Sequence, residues 1–188
     1  MKTIIEEWED IRPPAPPQVE RVKIIPGETA LLLLDIQKQN CNKERRPRCV
    51  ERLPHLKKVL MIARTHHIPV FYSTTPSAHE ADIREEVKPE KGDPIVKSGV
   101  DKFYNTDLEH LLRGKGVKTL IITGTAAHGA VLHTATAAVS RGFHIIVPVD
   151  GLSAGEPYAE QYTLWHIARA PGTRGKAMIT RIDWIEIE

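Results

Sequence analysis

The sequence predicts an α/β domain with a mainly parallel sheet covered by helices on both faces, and three observations carry that expectation. Short apolar runs recur along the chain, at Ala30 to Leu34, Val117 to Thr123 and Phe143 to Val149, as in strands buried on both faces. Segments with helical periodicity separate them, and strands alternating with helices at this rhythm require right-handed crossovers between parallel neighbours. The chain of 188 residues has 26 basic and 24 acidic side chains, a net charge of +2, and 41% hydrophobic residues. One core of that size buries roughly 70% of the surface the unfolded chain exposes, so folding requires neither a disulfide nor a structural metal.

Residues 1–28 carry Pro13, Pro14, Pro16 and Pro17, which remove amide donors and favour an extended arm packed along the outside or reaching a neighbouring subunit. The domain proper spans residues 29–188. It opens with the strand Ala30 to Leu34, followed by a helix from Val50 to His66 with Leu53, Leu56, Val59, Leu60 and Ala63 on one side. Pro69 to Thr74 is the second strand. Thr106, Asp107, Leu108 and Glu109 open a helix with a threonine cap and an acidic first turn, closed by Gly114 and Gly116. Val117 to Thr123 is the third strand, Ala126 to Ser140 a helix rich in small residues, and Phe143 to Val149 the fourth strand. Tyr158 to Ala168 is a further helix and Ala177 to Ile182 a last strand.

No uninterrupted apolar run is longer than Ala30 to Leu34, which is far short of the ~20 residues of a membrane helix. Met1 to Asp10 carries Glu6, Glu7, Glu9 and Asp10 with no apolar stretch after a basic start, so no secretory signal is expected there. Cys41 and Cys49 lie in one short stretch, and the expectation is two reduced thiols in a cytoplasmic protein. Lys43, Arg45, Arg46, Arg48 and Arg52 form the one dense basic cluster, read as a solvated loop face. With only 5% aromatic residues and no broad basic stripe, nucleic acid is not an expected partner. His66 and His67 point to different faces, and His128 and His133 miss the spacing of a helical ligand pair, so neither a metal nor any other cofactor is expected. The proline arm and the small-residue helix from Ala126 suggest a homo-oligomer.

Parallel sheets bind ligands beyond the carboxyl ends of their strands, where the strand order reverses. Asp35 ends the first strand there, as a carboxylate at an apolar rim suited to proton transfer or as an ordinary loop cap. Gly124 to Ala130 follows the third strand, where small residues admit a ligand to helix-start amides; such turns are also common without a ligand. Asp150 to Ala154 follows the fourth strand. Lys97, after Ile95 and Val96, is a candidate site lysine or an edge-strand charge.

In order along the chain, these residues resemble the isochorismatase-like, or cysteine hydrolase, family from about Thr29 to Ile187. Ala30 to Gln37 is similar to its first strand and aspartate segment, and Lys97 with Asp101, Phe103, Thr106, Asp107 and Leu108 to its lysine segment. Thr119 to Gly124, Thr134-Ala135 and Arg141-Gly142 through Asp150 are similar to its nucleophile strand, helix and next strand. The resemblance implies a three-layer α/β/α fold with a six-stranded, mainly parallel sheet, often in oligomers. It implies hydrolysis of small amides in which a cysteine attacks the carbonyl, an aspartate and a lysine assist, and amides after a non-proline cis peptide hold the oxyanion. By this resemblance Asp35 and Lys97 are catalytic, the cis bond is Thr125–Ala126, and Thr125, Ala126, His128 and Gly129 line the pocket.

The family cysteine aligns with Ala130, whose methyl group cannot attack a carbonyl, and neither Cys41 nor Cys49 lies at that turn. A natural divergence and a Cys→Ala exchange are both compatible with that. True isochorismatases also lack the thiol and carry an Ala-His pair at this turn, as Ala127-His128 does here; there the aspartate acts as a general acid on an enol ether. Their pocket tyrosine and glutamine, near Ala126 and Thr75, are missing, and the metal segment of the nicotinamidase branch has no counterpart. Lys97 and Arg84 edge a pocket for an acidic or amide-bearing small molecule. His128 is a pocket-wall donor or a helix-start residue satisfied by a carbonyl. The implied function is hydrolysis of a small enol ether or amide by Asp35–Lys97 acid–base chemistry without a thiol. The alternatives are a catalytically silent binding or scaffold member, and an amidohydrolase inactivated at position 130.

Overall fold

The computed structural model describes residues 1–188. In chain order the elements are β1 (Val22–Ile24), β2 (Thr29–Leu34), α1 (Pro47–Thr65), β3 (Val70–Thr74), β4 (Ile95–Lys97), α2 (Leu108–Gly114) and β5 (Thr119–Thr125). A π-helical turn, Ala127–Val131, runs into α3 (Leu132–Ser140), followed by β6 (His144–Pro148), β7 (Leu152–Ser153), α4 (Pro157–Arg169), β8 (Ala177–Thr180) and β9 (Ile185–Ile187).

The main sheet runs β4-β3-β2-β5-β6-β8, with two-residue β7 paired to the carboxyl end of β5, and every pairing is parallel. This is the expected α/β sheet, six strands with a short seventh. The chain starts in the middle with β2, moves outward through β3 to β4, then returns to β5 on the other side. The order therefore reverses between β2 and β5, where Leu34 pairs with Gly124.

The side-chain alternation of β2 divides the interior into two layers. Leu31 and Leu33 pack with Leu53, Leu56, Val59 and Leu60 of α1. Ala30, Leu32 and Leu34 pack on the other face with residues of α2, α3 and α4, including Leu112, Ala135 and Ile167. α1 begins with Pro47 in its first turn, where a missing amide hydrogen is harmless. The N-cap residue of α2 is Asp107, not the expected Thr106, whose Oγ1 lies one position earlier and accepts from the Leu108 amide at 3.3 Å.

Two features depart from the sequence expectation. The end of the proline-containing segment is built into the fold: Val22 and Ile24 are buried, and β1 pairs in parallel with the C-terminal β9. The reduced thiols are the larger correction. Cys41 and Cys49 form a disulfide, fully buried, because the first turn of α1 folds Cys49 back until the two Cα atoms are 5.2 Å apart. Closing even this short loop stabilises by roughly 2–3 kcal/mol in the chain-entropy model. Denaturing alkylation of protein purified without reductant is expected to label neither cysteine, and to label both after reduction; labelling before reduction would contradict the bridge. No helix is long and apolar enough to cross a membrane.

Candidate active site at the strand-order reversal

β2 delivers Asp35 to the carboxyl edge of the sheet, where the residue takes a positive φ of 55° and is 5% exposed. Its amide donates to the Ser73 carbonyl oxygen at 3.2 Å, so the end of β3 fixes its backbone. Ser73 Oγ donates to Asp35 Oδ1 at 2.7 Å, and Lys102 Nζ donates to Oδ2 at 2.8 Å. The carboxylate is thus held in one orientation by a hydroxyl and an ammonium that are both out of water.

Lys102 has no exposed surface. Its other ammonium hydrogens go to the carbonyl oxygens of Gly99 at 2.6 Å and Ser98 at 3.2 Å, so all three donors are engaged. A buried lysine persists only when paired and hydrogen-bonded in this way. The loop that carries it is tied internally: Ser98 Oγ donates to the Asp101 and Tyr104 carbonyls, and Thr106 Oγ1 to that of Lys102 itself. The Lys102 amide donates to Thr134 Oγ1 at 3.3 Å, linking the loop to α3.

This corrects the assignment of Lys97. That residue lies exposed at the end of β4, an edge strand paired only with β3, and is not among the hydrogen-bond partners of the Asp35 carboxylate. Lys102, five positions on, is the lysine that reaches Asp35. The signal was present in the same segment, as a lysine flanked by Asp101 and Phe103 in a loop where several polar side chains can turn the backbone inward.

The turn after β5 forms the other wall. The Thr125–Ala126 peptide is cis, as the resemblance implied. Thr125 Oγ1 donates to the Ser153 carbonyl at 3.1 Å, anchoring the turn to β7, and no side chain caps the π-helical start at Ala127. Ala127 and Ala130 are buried in the same apolar cluster as Leu34 and Phe103, the chain neighbours of Asp35 and Lys102. A Cβ added at Gly129 would sit 3.8 Å from Val100, so the Lys102 loop and the turn are in contact. His128 is exposed, and its ring has no protein partner, so the carbonyl-satisfied reading does not hold.

Thr75 and Arg84 are less available than expected. Gln37, buried, donates its Nε2 to Thr75 Oγ1 at 2.7 Å and accepts from the Thr75 amide at 3.2 Å. The Arg84 amide reaches the Ile36 carbonyl, but its guanidinium is gripped by Glu86 at 2.7 and 3.1 Å, which pushes its pKa up and neutralises its charge locally.

Residues 29–183 match the family model described as the isochorismatase domain. The chain belongs to the isochorismatase family. Among curated relatives, an N-carbamoylsarcosine amidase of Arthrobacter is 26% identical over 143 residues, covering 61% of this chain and 54% of that protein. A ureidoacrylate amidohydrolase of Pseudomonas savastanoi is 33% identical over 89 residues, covering 44% of this chain and 35% of that one. The chain thus spans about half or less of the length of these relatives. A solved cysteine hydrolase from Pseudomonas syringae superposes with a TM-score of 0.75 at 21% identity, over 89% of this chain and 94% of that one, which shows a shared fold. This isochorismatase-family member carries its buried aspartate–lysine pair at the strand-order reversal, where open α/β sheets bind ligands.

Proposed function

We propose that the chain is a hydrolase of small polar molecules whose acid–base centre is Asp35 with Lys102, working without a side-chain nucleophile. The observation that carries this is the desolvated pair at 2.8 Å, with Ser73 aiming the carboxylate from the other side. A buried charge pair is not the economical way to stabilise a sheet edge, since apolar residues of equal volume serve as well or better. Its position beside an uncapped helix start is that of a proton-transfer group facing an anion-stabilising turn.

Of the amide and enol-ether branches, the names of the two curated relatives favour the amide branch. Asp35 takes a proton from water as the water oxygen bonds to the substrate carbonyl carbon. The carbonyl oxygen gains charge against the turn formed by Ala126, Ala127, His128, Gly129 and Ala130. Asp35 then returns the proton to the departing nitrogen as the C–N bond breaks, leaving an acid and an amine or ammonia. Lys102 holds the carboxylate in place through both transfers. The names of the two curated relatives, an N-carbamoylsarcosine amidase and a ureidoacrylate amidohydrolase, support a carbamoyl or ureido C–N bond as the target.

Ala130 favours a second reading, in which the pocket binds without turning over. Its methyl group is buried at the position that the resemblance assigns to the nucleophile. Ammonia and pyruvate release from a panel of small amides, ureido acids and enol ethers separates the two. The expected result is Ala130-compatible ammonia release that falls at least about 100-fold in Asp35→Asn, the usual scale for a lost general base. Turnover appearing only in Ala130→Cys would identify an amidase pocket without its nucleophile, and ligand binding with no turnover in either protein would identify a binding member.

A further inference from the structure

Six of the twelve large hydrophobic side chains that the fold leaves exposed line one groove: Ile4, Trp8 and Ile11 from the proline-containing arm, and Tyr158, Tyr162 and Trp165 from α4. The arm lies against α4 and still turns apolar surface outward, with Ile4 and Trp8 each 57% exposed and Tyr158 61%. No polar contact fastens it there. The hydrogen bonds of residues 1–19 are internal to the arm, and the first tie to the domain is the Glu20 amide on the Ile179 carbonyl oxygen at 3.0 Å. Apolar surface gathered in one place and rich in aromatic side chains is the composition of a protein–protein interface.

The charges beside the groove narrow what covers it. Glu6, Glu7, Glu9 and Asp10 stand within five residues of the arm with no cation among them, and none forms an ion pair; Glu6 accepts only from Thr3. At the α4 end, Glu156 lines the groove, and its neighbour Gly155 meets the loop before α1, where a Cβ on Gly155 would lie 3.9 Å from the Arg45 carbonyl oxygen. That loop carries Lys43, Arg45 and Arg46 against the single acid Glu44. Arg45 and Arg46 donate only to the carbonyls of Gln39 and Asn40, at 3.4 Å each, whereas Arg48 farther on is matched by Glu160. The same face therefore holds unpaired carboxylates and unpaired cations next to one apolar groove. A surface of one sign repels its own copy, but a surface with both signs complements a copy turned about a two-fold axis, each acidic strip then meeting the basic strip opposite.

We infer that this face is an isologous dimer interface between two copies of the chain, in which the groove of each copy covers that of the other and the carboxylates of each arm lie against the other copy's basic loop. The inference is independent of the reaction assigned to Asp35 and Lys102.

The test is the sedimentation behaviour of the full chain and of variants at exposed positions. The unaltered chain is expected to sediment as a dimer, at twice the 21.1 kDa of the single chain. Trp8→Asp places a charge in the apolar contact and is expected to raise the dimer Kd at least about tenfold. Two charge reversals test the pairing: Glu9→Lys with Asp10→Lys in the arm, and Lys43→Glu with Arg45→Glu in the loop, all exposed residues. Each reversal alone is expected to raise Kd at least about tenfold, because like charges then meet twice per dimer. Mixing the two reversed proteins is expected to recover a dimer containing one of each, since both arm–loop contacts are again of opposite sign. Lys91→Glu with Lys115→Glu, exposed away from the groove, is expected to leave the dimer intact, and far-UV circular dichroism checks that each variant is folded. A monomeric unaltered chain, a dimer indifferent to both charge reversals, or a mixture of the two reversed proteins that stays monomeric would overturn the inference.

Discussion

Gly124→Ala is expected to destabilise the chain by about 3–5 kcal/mol, combining an unfavourable backbone region with a collision in a packed layer. Gly124 holds φ at +133°, which L side chains rarely adopt. A Cβ there would run into the Leu34 carbonyl oxygen and come within 2.8 Å of both the Leu34 nitrogen and its Cβ. These are atoms of the neighbouring central strand and have nowhere to move. The same close approach brings Asp35, one residue beyond Leu34, and Thr125, one residue beyond Gly124, to facing positions at the reversal. Urea unfolding with Gly114→Ala as the reference would measure this, since that glycine has open space around its Cβ position and no positive φ. A Gly124→Ala midpoint as close to the unaltered chain as that of Gly114→Ala would refute the steric account.

Lys102→Met should lower stability by about 3–5 kcal/mol and reduce turnover at least about 100-fold. The substitution keeps the volume but strands the Asp35 carboxylate, 5% exposed, with only the Ser73 hydroxyl, and leaves the inward carbonyls of Ser98 and Gly99 without their donor. The penalty comes from uncompensated burial rather than from the net worth of the pair. Adding Asp35→Asn to Lys102→Met should therefore cost much less than the sum of the single changes, a coupling visible in a double-mutant cycle of unfolding free energies. Lys97→Met, at an exposed edge position, should leave stability within about 0.5 kcal/mol and activity unchanged. A larger loss from Lys97→Met than from Lys102→Met would return the catalytic lysine to the position that the resemblance first suggested.

Asp35 was legible because four leucines precede it, and an apolar strand that ends in a carboxylate places that group at the sheet rim whatever the rest of the chain does. The turn from Gly124 to Ala130 was legible for a related reason: only small residues fit where a strand passes directly into a helix beside a neighbouring strand. The choice between Lys97 and Lys102 was not, because it depends on how the Ser98, Asp101 and Thr106 side chains fold the intervening loop. The engagement of Arg84 by Glu86, two residues away, shows the same limit in reverse, since a charge that looks available in one dimension is neutralised in three.

The sequence by itself determined the α/β class, the order of the main elements, and the placing of Asp35 at the carboxyl edge of the sheet where the strand order reverses. Those properties follow from local periodicity, whose period of 2 or 3.6 residues is set by the backbone and readable within a single segment. The tertiary structure alone decided the Cys41–Cys49 bridge, the β1–β9 pairing of residues 163 apart in register Val22 to Ile185, and the burial of Lys102 rather than Lys97. Each of these depends on the separation of groups brought together by other parts of the chain, and a pairwise distance leaves no periodic trace in either partner's own neighbourhood.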